Sequence, residues 1–143
     1  KYQILCNIKL IMNNNVLKMI KYLYYFSLIT LLILYLYPGS LIGYIFYGDL
    51  GKQPDIIPNP IGTSINHALA FFFLSMVSLI GHIRDKNFNK IIIFLIFLSI
   101  VLELTHNIIP NRSFQFLDLL GNLLGSFLAI LIIIFYKKFK KTI

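Results

Sequence analysis

The sequence predicts an all-α integral membrane bundle of four transmembrane helices with both termini in the cytoplasm, and three observations lead there. Apolar side chains make up 58% of the 143 residues, against only 13 Lys and Arg and 5 Asp and Glu. Soluble domains carry about 25% charged residues, so this composition, with its mean hydropathy of +0.80, belongs in lipid. Four apolar stretches approach the roughly 20 residues that cross ~30 Å of hydrocarbon at ~1.5 Å per residue. The net charge of +8 gathers at the ends of those stretches, which is the pattern of membrane topology rather than of nucleic-acid binding.

The elements follow in order. Residues 1–19 are an N-terminal flank whose stretch Lys1 to Ile11 has neither periodicity nor an obvious cap, and in which Met12 and Met19 are candidate starts. A basic start followed by an apolar run over Lys18 to Tyr37 has the opening of a secretory signal. No small-residue cleavage site follows and further spans do, so an uncleaved first helix over Ile20 to Tyr37 is expected. The second span is Ile65 to Ile83, the third Ile91 to about Ile109, and the fourth Phe114 to Tyr136, with Ser113 as its expected N-cap. Residues 20–136 thus make one membrane domain, and 137–143 a basic tail. Cys6 is the only cysteine, so no internal disulfide forms.

Between the first two spans, Pro38 to Ser64 combines four prolines with the run Tyr44-Ile45-Phe46-Tyr47. Tyrosine favours the headgroup zone, where its ring is apolar and its hydroxyl wet. Two readings are open: an interfacial lid, or an outer loop without a role.

The first flank, the Arg84 to Lys90 hairpin and the tail are basic, whereas 38–64 and the Pro110 turn are not. Counting basic residues puts the former in the cytoplasm. At ~1.5 Å per residue, His67 then lies ~25 Å above Arg84, Glu103 ~20 Å above Lys90, and Asp118 ~28 Å above Lys137. Three helices so place polar side chains in the outer third of the membrane, with Arg112 just above.

Intramembrane charge costs roughly 2.5 to 3.5 kcal/mol at the bilayer centre and is rarely incidental. His67, Glu103 and Asp118 are the catalytic candidates; Arg112, Asn122 and His106 are candidates for substrate binding. Glu103 and His106 are three apart and share a helix side, and Glu103 can reach the imidazole or, across the Pro110 turn, Arg112. Either Glu103 takes up a proton from a substrate, or Glu103 and Arg112 only neutralise each other and pin the helices. Asp118 sits near the positive end of the fourth helix dipole. Gly121, Gly125 and Ala129 form a small-xxx-small face through which another helix, including one from a second copy, can approach. Ser75 and Ser78 suit hydrogen bonds between helices, and His82 suits the cytoplasmic interface. A Glu-x-x-His pair occurs in di-metal carboxylate bundles, but twice and with further glutamates; here it occurs once, so no metal and no cofactor is expected.

The residues His67-Ala68-Leu69-Ala70-Phe71-Phe72, Leu102-Glu103, Pro110-Asn111-Arg112-Ser113-Phe114 and Asp118-Leu119-Leu120-Gly121-Asn122-Leu123-Leu124-Gly125 resemble the VanZ-like family of small multi-pass membrane proteins. The resemblance spans about Ser64 to Ile130. It departs at Thr63-Ser64, where Asp-Lys is usual, at His106, where Gln is usual, and at Asn111, where Gly precedes the arginine. It implies a bacterial cytoplasmic-membrane protein with a cell-envelope role and, for some relatives, lowered susceptibility to teicoplanin-type antibiotics.

Three functions remain open on the sequence: a site for an envelope lipid or lipid-linked precursor, enzymatic or not; a proton-coupled transporter or channel subunit; and a non-catalytic assembly protein. Against the transporter, Ile91 to Leu98 and Ile130 to Phe135 are uninterrupted apolar stretches, and a through path needs polar lining.

Overall fold

A computed structural model describes residues 14–52 and 62–142. The described residues form five helices and no strand: α1 (Asn14–Leu36), α2 (Leu41–Tyr47), α3 (Gly62–Gly81), α4 (Phe88–Thr105) and α5 (Phe116–Thr142). All but α2 are long and apolar enough to cross a membrane, which makes the chain a multi-pass membrane protein by helix length and composition. The proposed starts at Met12 and the prolines at 54, 58 and 60 lie outside the described residues.

Local chemistry sets the helix ends. Pro38 cannot continue α1, which stops at Leu36. Ser40 caps α2, its Oγ accepting from the Gly43 N–H at 2.9 Å, and Gly48 closes it in the left-handed region at φ 67°, its N–H donating to Tyr44 O. Most boundaries shift from the sequence expectation: α1 starts at Asn14 rather than Ile20, α3 runs from Gly62 to Gly81 rather than Ile65 to Ile83, and α4 starts at Phe88 rather than Ile91. The third span ends at Thr105, four residues short of Ile109, because the chain turns ahead of Pro110 and through Asn111 at φ 60°. α5 passes Tyr136 to Thr142, since lysine is a good helix former and an emerging end is solvated.

α3 is the hub. Half of its membrane-length window is buried, against 17% for α1. Phe71, Leu74, Leu79 and Leu95 fill the core, and most of the exposed surface of α1 and α5 is apolar, including Phe26, Ile29, Phe127 and Leu131. A water-soluble monomer rarely shows such a surface; a bilayer covers it.

The closest helix pair is α3 with α5. A methyl group on Gly121 would strike the carbonyl oxygen of Ser64, and one on Gly125 that of Ala68, so the two backbones touch. Ala129 is fully buried. The small-residue face that the sequence offers to a second copy is therefore filled by α3 of the same chain, because only a neighbour lacking intervening side chains can come this near.

At the hairpin end, Lys21 Nζ pairs with Asp85 Oδ2 at 2.8 Å and Lys137 Nζ stands 3.6 Å above the Phe88 ring. The first residues of α1 and the last of α5 thus share one end of the bundle. His82, which the sequence suggests for the interface, stands at this same end but turned into the bundle: its Nδ1 is 2.8 Å from Ser78 O and its ring stands edge-on to Tyr24 at 5.4 Å.

Candidate functional site

The opposite end of the bundle holds a buried polar cluster. His67 is near the start of α3, Glu103 near the end of α4, Asp118 in the first turn of α5 and Asn122 one turn further in. All four are at least nine-tenths buried. Buried polar groups persist only where partners satisfy them, and here most of the partners can be named.

His67 lies between the two carboxylates. Its Nδ1 is 3.5 Å from Glu103 Oε2 and its Nε2 is 3.6 Å from Asp118 Oδ2. Asp118 also accepts from Ser64 Oγ at 2.7 Å. Glu103 Oε1 accepts from the Gln115 N–H at 3.2 Å and is 3.3 Å from His106 Nδ1. Asn122 Nδ2 donates to Ser99 O at 3.3 Å and to Glu103 Oε2 at 3.5 Å.

Tyr35 of α1 closes the cluster. Its hydroxyl donates to Asn122 Oδ1 at 2.8 Å and lies 2.9 Å from His67 Nδ1. Its ring stacks on His106 at 5.4 Å and meets Phe71 edge-on at 5.7 Å.

Counting protons gives these contacts a direction. Asn122 Nδ2 faces two acceptors, so its Oδ1 must accept, and the single Tyr35 proton goes there. The phenol oxygen is then the acceptor for an Nδ1–H of His67. Nε2 remains, within ion-pair range of Asp118. With a proton between them the contact is attractive; without one, two acceptors face each other. One proton therefore switches the His67–Asp118 contact, as a group suited to proton transfer would. Both nitrogens of His67 are engaged by the protein, and among the described residues no three His, Cys, Asp or Glu side chains converge in metal-binding geometry.

Arg112 lies apart from this cluster. The sequence suggests it as counterion to the carboxylates, but its Nη2 donates to Leu34 O at 2.7 Å and its Nε to Tyr37 O at 3.4 Å. The reason is the end of α1, whose last carbonyls have no partner within the helix and carry the negative end of its dipole. Burial draws the Arg112 pKa down, opposed by the nearby Tyr35 and Glu103, and the guanidinium keeps its charge.

Between these groups is a cleft of ≈ 120 Å³. Tyr35, His67 and Arg112 form its polar side, Ser40 and Ile42 bound it next to α2, and Ala70 lies deeper along α3. The described part of the 38–64 segment thus borders the site; residues 53–61 are outside those described.

The structure brings together five of the six sequence candidates, His67, Glu103, His106, Asp118 and Asn122, and leaves Arg112 at the cleft rim. Sequence reasoning missed Tyr35, Ser64 and the Gln115 N–H. The expected N-cap at Ser113 is displaced as well: α5 begins at Phe116, and Gln115 O receives the N–H groups of Asp118 and Leu119. Glu103 holds the Gln115 amide and so fixes the turn there. No family model, curated protein or solved structure matches the chain.

Proposed function

We propose that this chain is a VanZ-like protein of the bacterial cytoplasmic membrane whose polar site faces outward and binds or modifies an envelope lipid or lipid-linked molecule. One observation carries the reading: His67, held between two buried carboxylates, lines the same cleft as the cationic Arg112. Such a pairing sets a proton-handling group beside an anion-binding one. In this reading Arg112 holds an anionic group, His67 or Glu103 moves a proton, and Asp118 with Asn122 orients them.

The orientation rests on charge. Lys18, Lys21, Arg84, Lys86, Lys90, Lys137 and Lys138 crowd the hairpin end, which the positive-inside rule assigns to the cytoplasm, and the cleft is at the other end. The test is antibiotic susceptibility. A bacterial host expressing the chain should lose any protection against a teicoplanin-type drug when Glu103 or Arg112 becomes alanine. Protection unchanged at equal protein levels refutes the reading.

A proton-coupled transporter is the second reading, and one observation favours it. The sequence argument against a path considered α4 and α5, yet α3 carries His67, Ser75, Ser78 and His82 along one buried stripe, with Ser75 Oγ 3.3 Å from Ser126 Oγ. Vesicles holding the purified protein should then leak protons faster than empty ones; equal rates remove this reading.

A further inference from the structure

We infer that the cleft beside Arg112 takes one small anionic headgroup, of phosphate size, from a lipid in preference to headgroups that carry a sugar. The inference rests on the outer-leaflet reading above and narrows its ligand.

Charge comes first. Glu103 and Asp118 are absent from the cleft lining, where among the described residues Arg112 is the one formally charged side chain, although Glu103 is near enough to act on its charge. An anion entering there meets a cation without facing either carboxylate directly. Arg112 offers five N–H donors and gives two of its nitrogens to Leu34 O and Tyr37 O, so Nη1 keeps both of its donors for a ligand. The same two bonds hold the guanidinium still, and a donor fixed in advance loses little freedom on binding. Ser40 adds a second donor. Its Oγ accepts from the Gly43 N–H, which leaves its own O–H to give, and it borders the cleft while only 7% exposed.

Size comes next. A water claims about 30 Å³ in the liquid, so the ≈ 120 Å³ cleft holds the equivalent of about four. Pockets that enclose drug-sized ligands run to about 300–1,000 Å³. One phosphate with its first ester carbon fills that volume; a hexose beside it has to stand out through the open side of the cleft, away from Arg112. The apolar part of the ligand has its own place. Leu41 and Ile42 form the cleft edge, and the α2 residues beyond them, Tyr44, Ile45 and Phe46, are 57%, 76% and 70% exposed. A headgroup seated at Arg112 can lay its acyl chains against the exposed apolar side chains of this short helix.

The test uses the full chain in detergent with native mass spectrometry. The probes are phosphatidic acid, phosphatidylinositol, phosphatidylcholine, an undecaprenyl-linked sugar phosphate and inorganic phosphate. A Lys137→Gln/Lys138→Gln background reduces lipid bound at the basic end. Phosphatidic acid should be retained about tenfold better than phosphatidylinositol, and Arg112→Gln should abolish that preference. Because Arg112 also holds the end of α1, Ile42→Trp serves as the second variant: it fills the cleft, keeps the arginine, and should remove phosphatidic acid binding at an unchanged melting temperature. Equal retention of phosphatidic acid and phosphatidylinositol, or a preference that survives both variants, overturns the inference. So does competition by inorganic phosphate at the same concentration as lipid, which would make the ligand a free anion. Preferential, Arg112-dependent retention of the sugar phosphate refutes the size limit but leaves the outer-leaflet reading standing. If no lipid is retained, both fail.

Discussion

Replacing Tyr35 by phenylalanine isolates one atom of the cluster. The ring keeps its contacts with His106, Phe71 and His67, with centroids 5.4, 5.7 and 5.1 Å away, and only the hydroxyl is lost. That hydroxyl serves Asn122 Oδ1 at 2.8 Å and His67 Nδ1 at 2.9 Å. His67 has a fallback, because Glu103 Oε2 is already 3.5 Å from the same nitrogen. Asn122 Oδ1 has none, for turning the amide would set its oxygen against Ser99 O and Glu103. One buried acceptor is therefore left without a donor, at a cost of about 1–3 kcal/mol. Hydrogen bonds between membrane helices average nearer 0.6 kcal/mol, which pulls the expectation toward ~1 kcal/mol. Reversible unfolding in mixed micelles measures this, and nitrogen NMR of labelled histidine reads the His67 ring directly. A loss near 1 kcal/mol with a shifted Nδ1 resonance is expected. Unchanged stability together with an unchanged Nδ1 resonance would refute the proton assignment, and a loss above about 4 kcal/mol would mean that Tyr35 carries more than this bond.

Gly125→Ala should destabilise the fold by about 1–3 kcal/mol, since the added methyl meets Ala68 O and the Phe72 N, backbone atoms that cannot swing aside; thermal melting checks it, and an unchanged midpoint would contradict the backbone contact. A double-mutant cycle on Lys21 and Asp85 should give a coupling below about 1 kcal/mol that shrinks with salt, because the two side chains are 33% and 36% exposed. A coupling above about 2 kcal/mol would show a pair far better shielded than its exposure allows. Ser75→Ala should change stability by less than about 1 kcal/mol, given the long 3.3 Å contact with Ser126. If its vesicles leak protons like the wild type, the polar stripe of α3 is packing only.

Much of the fold is written in the chain because a helix is a ruler. Four apolar runs give the four long helices, and a fixed rise per residue places His67, Glu103 and Asp118 at similar heights from their basic anchors. Lateral neighbours are a different matter. Tyr35 looks like any tyrosine near a helix end, of which the first span has several, and its seat beside His67 depends on how α1 leans on α3. The sequence pairs Arg112 with Glu103 across the Pro110 turn, whereas its partners are carbonyls at 34 and 37, positions that no side-chain pattern marks. The Gly121 and Gly125 spacing announces a close neighbour without saying whose helix it is. The start of α5 depends on the Glu103 bond to the Gln115 amide, a contact between segments that sequence periodicity cannot register.

The joint between α3 and α5 has a mechanical consequence. Main chain resting on main chain leaves no compressible layer, so the pair leans as one stiff beam when the surrounding lipid grows thicker or thinner, rather than sliding one member along the other. Distances between His67 and Asp118 should then stay the same across membranes of different thickness. α1, only 17% buried and fastened near its Tyr35 end by the phenol hydroxyl and Arg112, is the member expected to yield, and with it the width of the cleft it lines with α3.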